Sequence, residues 1–339
     1  MSKYILAMSV FVILSLLFFS SANAHDAPKP DGHAPIGVMG DHLHKQGQWM
    51  VGYRFKSTST KGLRNGNNDV SNDTVLAAFG EAATKTTMDM HMFELMYGVS
   101  NDLTLMVMPQ FMEMSMLHQS RHGGGHSHRH EVSSFGDTEV TGLYSLFHNE
   151  RQKAHLNFGM SVPTGETNAK FNDHHGTRYN MPYNMQFGSG TFDPIIGATY
   201  TGTGDEWSWG AQTINYMRVL GQNNQGYRQG SKFTATSWVA RNVTDWASVS
   251  LRLDGEAWGD VKGRDATLPA TTIAGAQPDQ QAGERVFANV GVNLLADDSM
   301  GALAGHRLAA EFGMPIYERY SSPQPATDYR FTLSWQKAF

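Results

Sequence analysis

The chain has 339 residues, a formal net charge of −5, 35 glycines and no cysteine. A mixed and slightly acidic charge gives no reason to expect nucleic acid as a partner, and a chain without cysteine cannot rely on disulfides for its stability. Abundant glycine and aromatic residues, together with many short alternating segments, indicate an all-β protein rather than a helical one.

The first 24 residues predict a signal peptide for secretion. Lys3 supplies a positive start, residues 5–19 form an apolar run, and residues 22–24 read Ala-Asn-Ala, a small-residue cleavage site. We therefore expect the mature chain to begin at His25. After this point no apolar stretch is long enough for a membrane-spanning helix.

Residues 25–45 are polar, contain three prolines and show no period. This predicts an irregular N-terminal segment on the periplasmic side, or a plug inserted into the mouth of a barrel. The segment carries histidines that could contribute metal ligands, although the sequence shows no partner for them. They are His25, His33, His42 and His44.

Residues 46–339 alternate between apolar and polar side chains with a period of two, which is the signal for β-strands. Between the first two strands we expect a polar loop over residues 57–87, and between the third and fourth a loop over residues 121–130. The predicted strands lie near residues 46–56, 88–99, 103–118, 135–147, 153–163, 192–200, 206–219, 231–241, 246–256, 285–295, 307–316 and 329–339.

The second and third strands form a hairpin with two unlike faces around the turn at residues 100–102. One face is branched and aromatic, as lipid requires, and carries Phe93, Leu95, Tyr97, Val99, Leu103, Leu105, Val107 and Phe111. The other face is mainly thioether and carries Met88, Met90, Met92, Met96, Met106, Met108, Met112, Met114 and Met116, ending at His118. We expect this methionine face to point into the barrel.

The strand count is even, and the connections alternate between short ones and longer ones. Both features are typical of a transmembrane antiparallel up-and-down β-barrel of about 12 strands, with short periplasmic turns and longer extracellular loops. In lipid such a sheet must close, because every backbone polar group needs an internal partner. We therefore predict a barrel over residues 46–339 in the outer membrane of a Gram-negative bacterium, with membrane lipid around it. An alternating aromatic strand that ends at Phe339 further indicates recognition by the barrel assembly machinery.

Two short motifs add a resemblance to a known family. Ser161–Glu166 reads SVPTGE at the end of the fifth strand, and Gln186–Pro194 reads QFGSGTFDP at the start of the sixth. This pairing resembles the outer-membrane channel family named for the meta-pathway of phenol degradation, and the segment from His33 to Phe55 is similar to a subgroup described as transporters. The resemblance covers nearly all of the mature chain. It implies a channel for small hydrophobic or aromatic compounds, and it supplies no catalytic residues.

The methionine face has three interpretations. It could be packing material, because methionine fills irregular gaps well, or an apolar path whose thioethers contact aromatic solutes. It could also be a path for Cu(I) or Ag(I), because soft thioether ligands select soft metals. The histidines that follow could bind copper or zinc, or could simply form a solvated polar loop. The candidate metal ligands are Met88, Met90, Met92, Met106, Met108, Met112, Met114, Met116, His118, His122, His126, His128 and His130.

Charged side chains also fall on the face that points away from lipid. They could fill a narrow lumen as a network of ion pairs, or they could set a constriction and its ion preference. The candidate pore-lining residues are Arg54, Glu94, Asp137, Glu139, Arg252, Asp254, Glu256, Arg307, Glu311 and Arg330.

No serine-nucleophile elbow, zinc-protease motif or P-loop occurs in the chain. We therefore predict a protein that is not an enzyme. The favoured function is passive transport of small hydrophobic or aromatic molecules through an outer-membrane channel. The alternative is an outer-membrane protein that binds or transports copper or another transition metal through the methionine face and the histidine-rich loop.

Overall fold

The structure is a computed structural model that describes residues 29–121, 127–172, 178–268, 273–296 and 298–339. The predicted signal peptide lies outside these residues. One α-helix, α1, covers Asn72–Ala78. The strands are β1 Trp49–Gly66, β2 Asn68–Val70, β3 Glu81–Ser100, β4 Leu103–Met108, β5 Gln110–Ser120, β6 Ser127–Phe135, β7 Thr138–His148, β8 Gln152–Val162, β9 Lys170–Asn172, β10 Arg178–Asn180, β11 Asp193–Thr203, β12 Trp207–Tyr216, β13 Tyr227–Arg228, β14 Lys232–Thr244, β15 Ala247–Trp258, β16 Lys262–Gly263, β17 Gly283–Leu295 and β18 His306–Ala338.

Eleven of these strands form a closed antiparallel ring. The hydrogen-bonded order is β1, β18, β17, β15, β14, β12, β11, β8, β7, β4 and β3, and β3 pairs with β1 to close the sheet. Closure leaves the ring without a free edge, so the backbone groups within it are paired as a lipid environment demands. The predicted all-β barrel is confirmed.

The last strand of the ring, β18, contains two antiparallel arms. Its first arm pairs with β17 and its second arm with β1, and Tyr320 has a partner in both. The rings of Phe312 and Tyr329 lie 5.9 Å apart, whereas 17 residues of straight strand would separate them by about 56 Å. The chain therefore reverses near Tyr320, and the barrel wall is crossed twelve times, as the alternation predicted.

The methionine hairpin continues beyond the ring at its outer end. Pro109 separates β4 from β5, because proline has no N–H to give to the ladder. Beyond this break β5 pairs with β3 on one side and with β6 on the other. The expected loop over residues 121–130 was therefore wrong in its second half, since Ser127 to His130 belong to β6.

The expected loop over residues 57–87 was also wrong in large part. β1 runs on to Gly66, β3 starts at Glu81, and α1 lies between them. The Ser71 side chain caps α1 by accepting a hydrogen bond from the N–H of Thr74, 3.2 Å away. Strands this long project beyond the hydrocarbon layer, where neither face needs apolar residues, and the sequence therefore showed no apolar alternation.

The outer surface of the ring carries the predicted lipid-facing side chains. Phe93 is 54% exposed and Leu95 is 42% exposed, whereas Met96, which follows Leu95 and faces inward, is fully buried. Exposed tryptophans at the inner ends of β1, β12 and the loop before β15 suit a membrane–water interface. They are Trp49, Trp207 and Trp246. Among the described residues we find no helix with the length and apolar character needed to cross a membrane.

Residues 29–48 lie inside the inner end of the barrel. Their backbone carbonyls accept hydrogen bonds from side chains on the barrel wall: Ser208 donates to Asp31, and Asn157 and Gln212 donate to Gly40 and Met39. Close approach is needed at Gly98 of β3, where a Cβ would overlap the backbone carbonyl of Lys45. We call residues 29–48 the N-terminal segment.

Three long connections cover the outer end, and we call them the outer cover. Tyr183 of the connection between β8 and β11 packs against Tyr227 of the connection between β12 and β14, with ring centroids 4.8 Å apart. These rings belong to an apolar cluster with Val261, Leu268 and Ile273 from the connection between β15 and β17. The interior of the barrel is thus enclosed between this cover and the N-terminal segment.

Candidate functional site

A cavity of about 490 Å³ occupies the middle of the barrel. Ile36, Gly37 and Met39 of the N-terminal segment form its floor, and residues 184 and 186–189 of the outer cover form its roof. We call it the central cavity. Its two long walls have different chemistry.

The first wall consists of the methionines of β3, β4 and β5, which alternation turns inward. We call it the methionine wall, and it comprises Met88, Met90, Met92, Met106, Met108 and Met112. Met114 and Met116 continue the same face outward and line a second cavity of about 310 Å³. These outer methionines pack with Met181, Met185 and Phe187 of the cover. All eight methionines named as candidate ligands therefore point into the barrel.

The opposite wall is built from ion pairs on β15, β17 and β18. We call it the charged wall, and it comprises Arg252, Asp254, Glu256, Arg285, Glu311 and Arg330. The guanidinium of Arg252 donates to both carboxylate oxygens of Glu311, at 2.9 and 2.6 Å. Its Nη1 also lies 3.1 Å from Oδ1 of Asp254. Each charge therefore has a compensating partner, as burial requires.

The remaining members of the charged wall form a second set of pairs. Arg330 contacts Asp254 and Glu256, and Nη2 of Arg285 lies 3.0 Å from Oε2 of Glu256. We did not predict Arg285 as a pore-lining residue. It lies four residues before the buried Asn289 in the same strand, so the two side chains point to the same face of the sheet.

The predicted pore-lining residues divide into three groups. The charged-wall members and Arg54, Asp137 and Glu139 line the central cavity. Glu94 lies beneath it, 3.6 Å from Arg54. Arg307 lies in neither place, because its guanidinium donates to the carbonyls of Lys29 and Pro30 in the N-terminal segment.

Asp137 explains why the two family motifs occur together. Its carboxylate accepts hydrogen bonds from the N–H of Gly165 at 3.0 Å and from the N–H and hydroxyl of Ser189 at 2.7 and 2.9 Å. Gly165 and Gly188 approach so closely that a Cβ on either would overlap the other. The motifs therefore join the end of β8 to the start of β11.

A cluster of histidines lies at the outer end of the barrel, beside β3. It contains Glu81, His118, His128 and His130, whose rings and carboxylate face one another. We call it the outer histidine cluster. Of the predicted metal ligands in the loop, His122 and His126 lie outside the described residues. We did not predict Glu81 as a metal ligand, because it fell in the expected loop. In addition, a β-bulge between Ala83 and Lys85 changes which residues of β3 face inward beyond that point.

A second group of histidines lies in the N-terminal segment. Nδ1 of His42 lies 2.9 Å from Oδ1 of Asp41, and the rings of His33 and His42 are 3.9 Å apart. Burial lowers the pKa of His33 well below its usual value, and it lowers that of His44 to about 4. Arg307 adds to the effect on His33, and a cation so close also opposes a bound metal ion. We interpret this group as packing that docks the segment.

A family model described as "Putative MetA-pathway of phenol degradation" matches residues 115–313, which is more than half of the chain. The protein belongs to this family. The resemblance carried by the SVPTGE and QFGSGTFDP motifs is thereby confirmed. No curated protein matches the chain.

Among solved structures, the fold is similar to an outer membrane channel from Pseudomonas putida F1. The TM-score is 0.58 at 17% identity, and the match covers 89% of this chain and 99% of that one. A FadL homologue from Pseudomonas aeruginosa gives a TM-score of 0.47 at 8% identity, covering 94% of this chain and 99% of that one. The barrel and its family place the protein in the outer membrane of a Gram-negative bacterium.

Proposed function

We propose that the protein is a passive channel for small hydrophobic or aromatic molecules, and that it transports them without catalysis. The observation that carries this proposal is the central cavity with its methionine wall. A volume of about 490 Å³ falls within the range of about 300–1,000 Å³ that small-molecule sites occupy.

The methionine wall suits aromatic solutes of more than one shape. Thioethers make favourable contacts with aromatic rings, and the flexible methionine side chain adapts to irregular surfaces. Solutes would therefore pass along a soft apolar wall rather than through a rigid pocket.

The charged wall selects against ionic solutes. Its guanidinium and carboxylate groups are paired with each other, so it offers hydrogen-bond donors and acceptors to a solute without a large net charge. A neutral molecule with an aromatic body and one polar group, such as a phenol or an aromatic alcohol, fits both walls. A sugar of similar size would leave the methionine wall without apolar contact.

The route continues outward from the central cavity. The second cavity shares Met88, Gln186 and Arg285 with it, and lies under the outer cover. At the inner end the N-terminal segment closes the barrel, so we propose that this segment is a plug that must shift for a solute to leave. The similar fold of the P. putida F1 protein, whose description is an outer membrane channel, supports transport.

The test is uptake of benzyl alcohol, with arabinose as the polar comparison, by Gram-negative cells that lack their own general porins and produce the full chain. Filling the central cavity by M90W/M108W should lower benzyl alcohol uptake at least about fivefold. The matched control M90L/M108L should stay within about twofold of wild type, because leucine and methionine have nearly equal volumes. Heat-modifiable migration on gels checks that each barrel is folded. Uptake no faster than in cells without the protein, or equally fast uptake of arabinose, would contradict the proposal.

A second candidate function is the binding or transport of copper along the methionine face. The supporting observation is that thioethers line both cavities in series, from Met106 to Met116, and thioethers favour Cu(I). Changing Met90, Met92, Met106 and Met108 to leucine should abolish Cu(I) binding by the refolded barrel if copper is the cargo. The same variant should still take up benzyl alcohol if the wall serves apolar solutes.

We also propose that the final strand, together with Phe339 that follows it, presents the unfolded chain to the barrel assembly machinery. Replacing Phe339 with alanine should slow insertion into the outer membrane in cells while leaving the refolded barrel unchanged in detergent. Insertion of this variant at the wild-type rate would contradict the proposal.

A further inference from the structure

We infer that the outer histidine cluster is a binding site for a divalent transition-metal ion. Its ligands are one carboxylate, from Glu81, and three imidazoles, from His118, His128 and His130. The inference concerns side chains outside the central cavity and does not depend on the transport proposal.

The register of three strands sets the positions of these ligands. His118 in β5 lies directly opposite His128 in β6, and His130 stands two residues further along the same face. On the other side of β5, Ala83 of β3 pairs with His118, which places Glu81 next to it along the sheet. Ligands mounted on paired strands keep their spacing without help from a loop.

The distances suit a single ion. Oε2 of Glu81 lies 3.3 Å from Nδ1 of His118, and Oε1 lies 3.9 Å from Nε2 of His128. Ligand atoms from these three residues all lie within 4.8 Å of one another. A tetrahedral site with bonds near 2.0–2.1 Å places its ligand atoms roughly 3.3 Å apart, so only small side-chain movements are needed.

The third imidazole approaches from the same side. The ring centroid of His130 lies 4.8 Å from that of His128 and 5.3 Å from that of His118. A rotation of its side chain therefore brings a fourth ligand to the ion. One carboxylate and three neutral imidazoles leave a divalent ion with a small residual charge, and this ligand set suits zinc or copper(II).

Burial makes a bound cation the natural partner for these atoms. His118 is only 4% exposed. Within the part of the chain that the structure describes, Nδ1 of His118 and Oε2 of Glu81 are both buried and neither has a hydrogen-bond partner. The two atoms lie 3.3 Å from each other, and a buried polar atom without a good hydrogen bond is costly. A metal ion between them would satisfy both.

Room for an ion lies on one side of the cluster. A small cavity of about 30 Å³ borders it where Glu81 and His118, together with Met116, form the lining, and this volume fits one water molecule or ion. An ion bound there would tie β3, β5 and β6 together beyond the closed ring, where Met116 also marks the outer end of the methionine face.

The experiment is a titration of the full mature barrel, refolded in detergent, with Co²⁺ followed by its visible absorption, and then with Zn²⁺ in competition. We expect one tight Co²⁺ ion per chain with the intense bands of four-coordinate geometry. E81Q and H118Q should each weaken binding at least about tenfold, since loss of even an outer partner of a ligand has that effect. H130Q, at a less buried position, supplies a second test if H118Q fails to fold.

Three control variants localise the site. H148Q changes a histidine at the inner end of β7, H33Q/H42Q changes two neighbouring histidines of the N-terminal segment, and H122Q/H126Q changes the sequence between β5 and β6. Each should bind Co²⁺ as wild type does. Tight binding that survives E81Q and H130Q, or that disappears in any of the three controls, would overturn the inference, as would a wild-type barrel that does not bind Co²⁺ or Zn²⁺.

Discussion

The contact between Gly37 and the charged wall gives the sharpest test of the plug. Gly37 lies on the floor of the central cavity, and an added Cβ would come closer than 3.0 Å to Nη2 of Arg252 and to Oε1 of Glu311. Real Cβ atoms essentially never approach other atoms so closely. The substitution Gly37→Ala must therefore displace either the ion pair or the N-terminal segment.

The two displacements differ in their free-energy cost. Breaking the buried pair of Arg252 and Glu311 costs about 3–5 kcal/mol, because one charge is left without its partner. Moving the segment gives up hydrogen bonds such as those to the carbonyls of Val38, Met39 and Gly40, each of which contributes about 0.5–1.5 kcal/mol. A local shift that gives up two of these bonds costs about 2 kcal/mol, which is less than breaking the ion pair, so we expect the segment to move and its docking equilibrium to shift by roughly 30-fold.

The assay is the open probability of single channels in planar bilayers, together with the rate at which trypsin cuts after Lys45. Gly37→Ala should raise both quantities. Gly32→Ala is the matched control, because it lies in the same segment and an added Cβ there meets nothing within 4 Å. If Gly37→Ala, Gly32→Ala and wild type give the same values in both assays, the segment is not a plug held against the charged wall.

Four further outcomes follow from the same contacts. Glu311→Gln leaves Arg252 without its carboxylate partner, so urea unfolding should show a loss of about 3–5 kcal/mol, and the double change R252M/E311L should lose clearly less; equal losses would exclude the pair as the cause. Asp137→Ala removes three hydrogen bonds that join β8 to β11, and the free energy of unfolding should fall by about 2–4 kcal/mol. The docked segment holds His33 and His44 with pKa values below the ordinary 6.5, so the undocked segment binds more protons as the pH falls from about 6.5 to 4, and trypsin cleavage after Lys45 should rise over that window relative to cleavage of an unfolded substrate at the same pH; an H33Q/H44Q variant that keeps this relative rise would show another origin. Zn²⁺ bound at the outer histidine cluster should be released in mild acid, because the imidazoles must be neutral to bind it; equal affinity at pH 7.5 and 5 would argue against imidazole ligands.

The strands that cross the lipid could be found from the sequence because their signal is local. Along β3 each outward residue such as Phe93 must be apolar for lipid, and each inward residue such as Met92 is free to differ. This constraint repeats every two residues, so the faces, the inward methionines and the twelve crossings all followed from alternation. The turn near Tyr320 was expected for the same reason, although β18 keeps its extended backbone through this turn.

The strand extensions beyond the membrane could not be found in this way. The outer parts of β1, β3 and β6 contact water or the outer cover rather than lipid, so polar residues occur on both of their faces. The segment from Ser127 to His130 therefore looked like a loop, and Glu81 appeared unrelated to the histidines.

Local residue patterns were enough to predict the class of fold, the lipid-facing surface, the inward methionines and the residues with ligand or charge chemistry. Which of these residues contact one another depends on the tertiary structure. Glu81 and His118 are 37 positions apart, the N-terminal segment contacts strands from one end of the chain to the other, and Arg252 finds Glu311 only because β15 and β18 flank β17. Such contacts depend on sheet register, bulges and closure of the ring, which are set by long-range pairing and leave no trace in the local alternation of the chain.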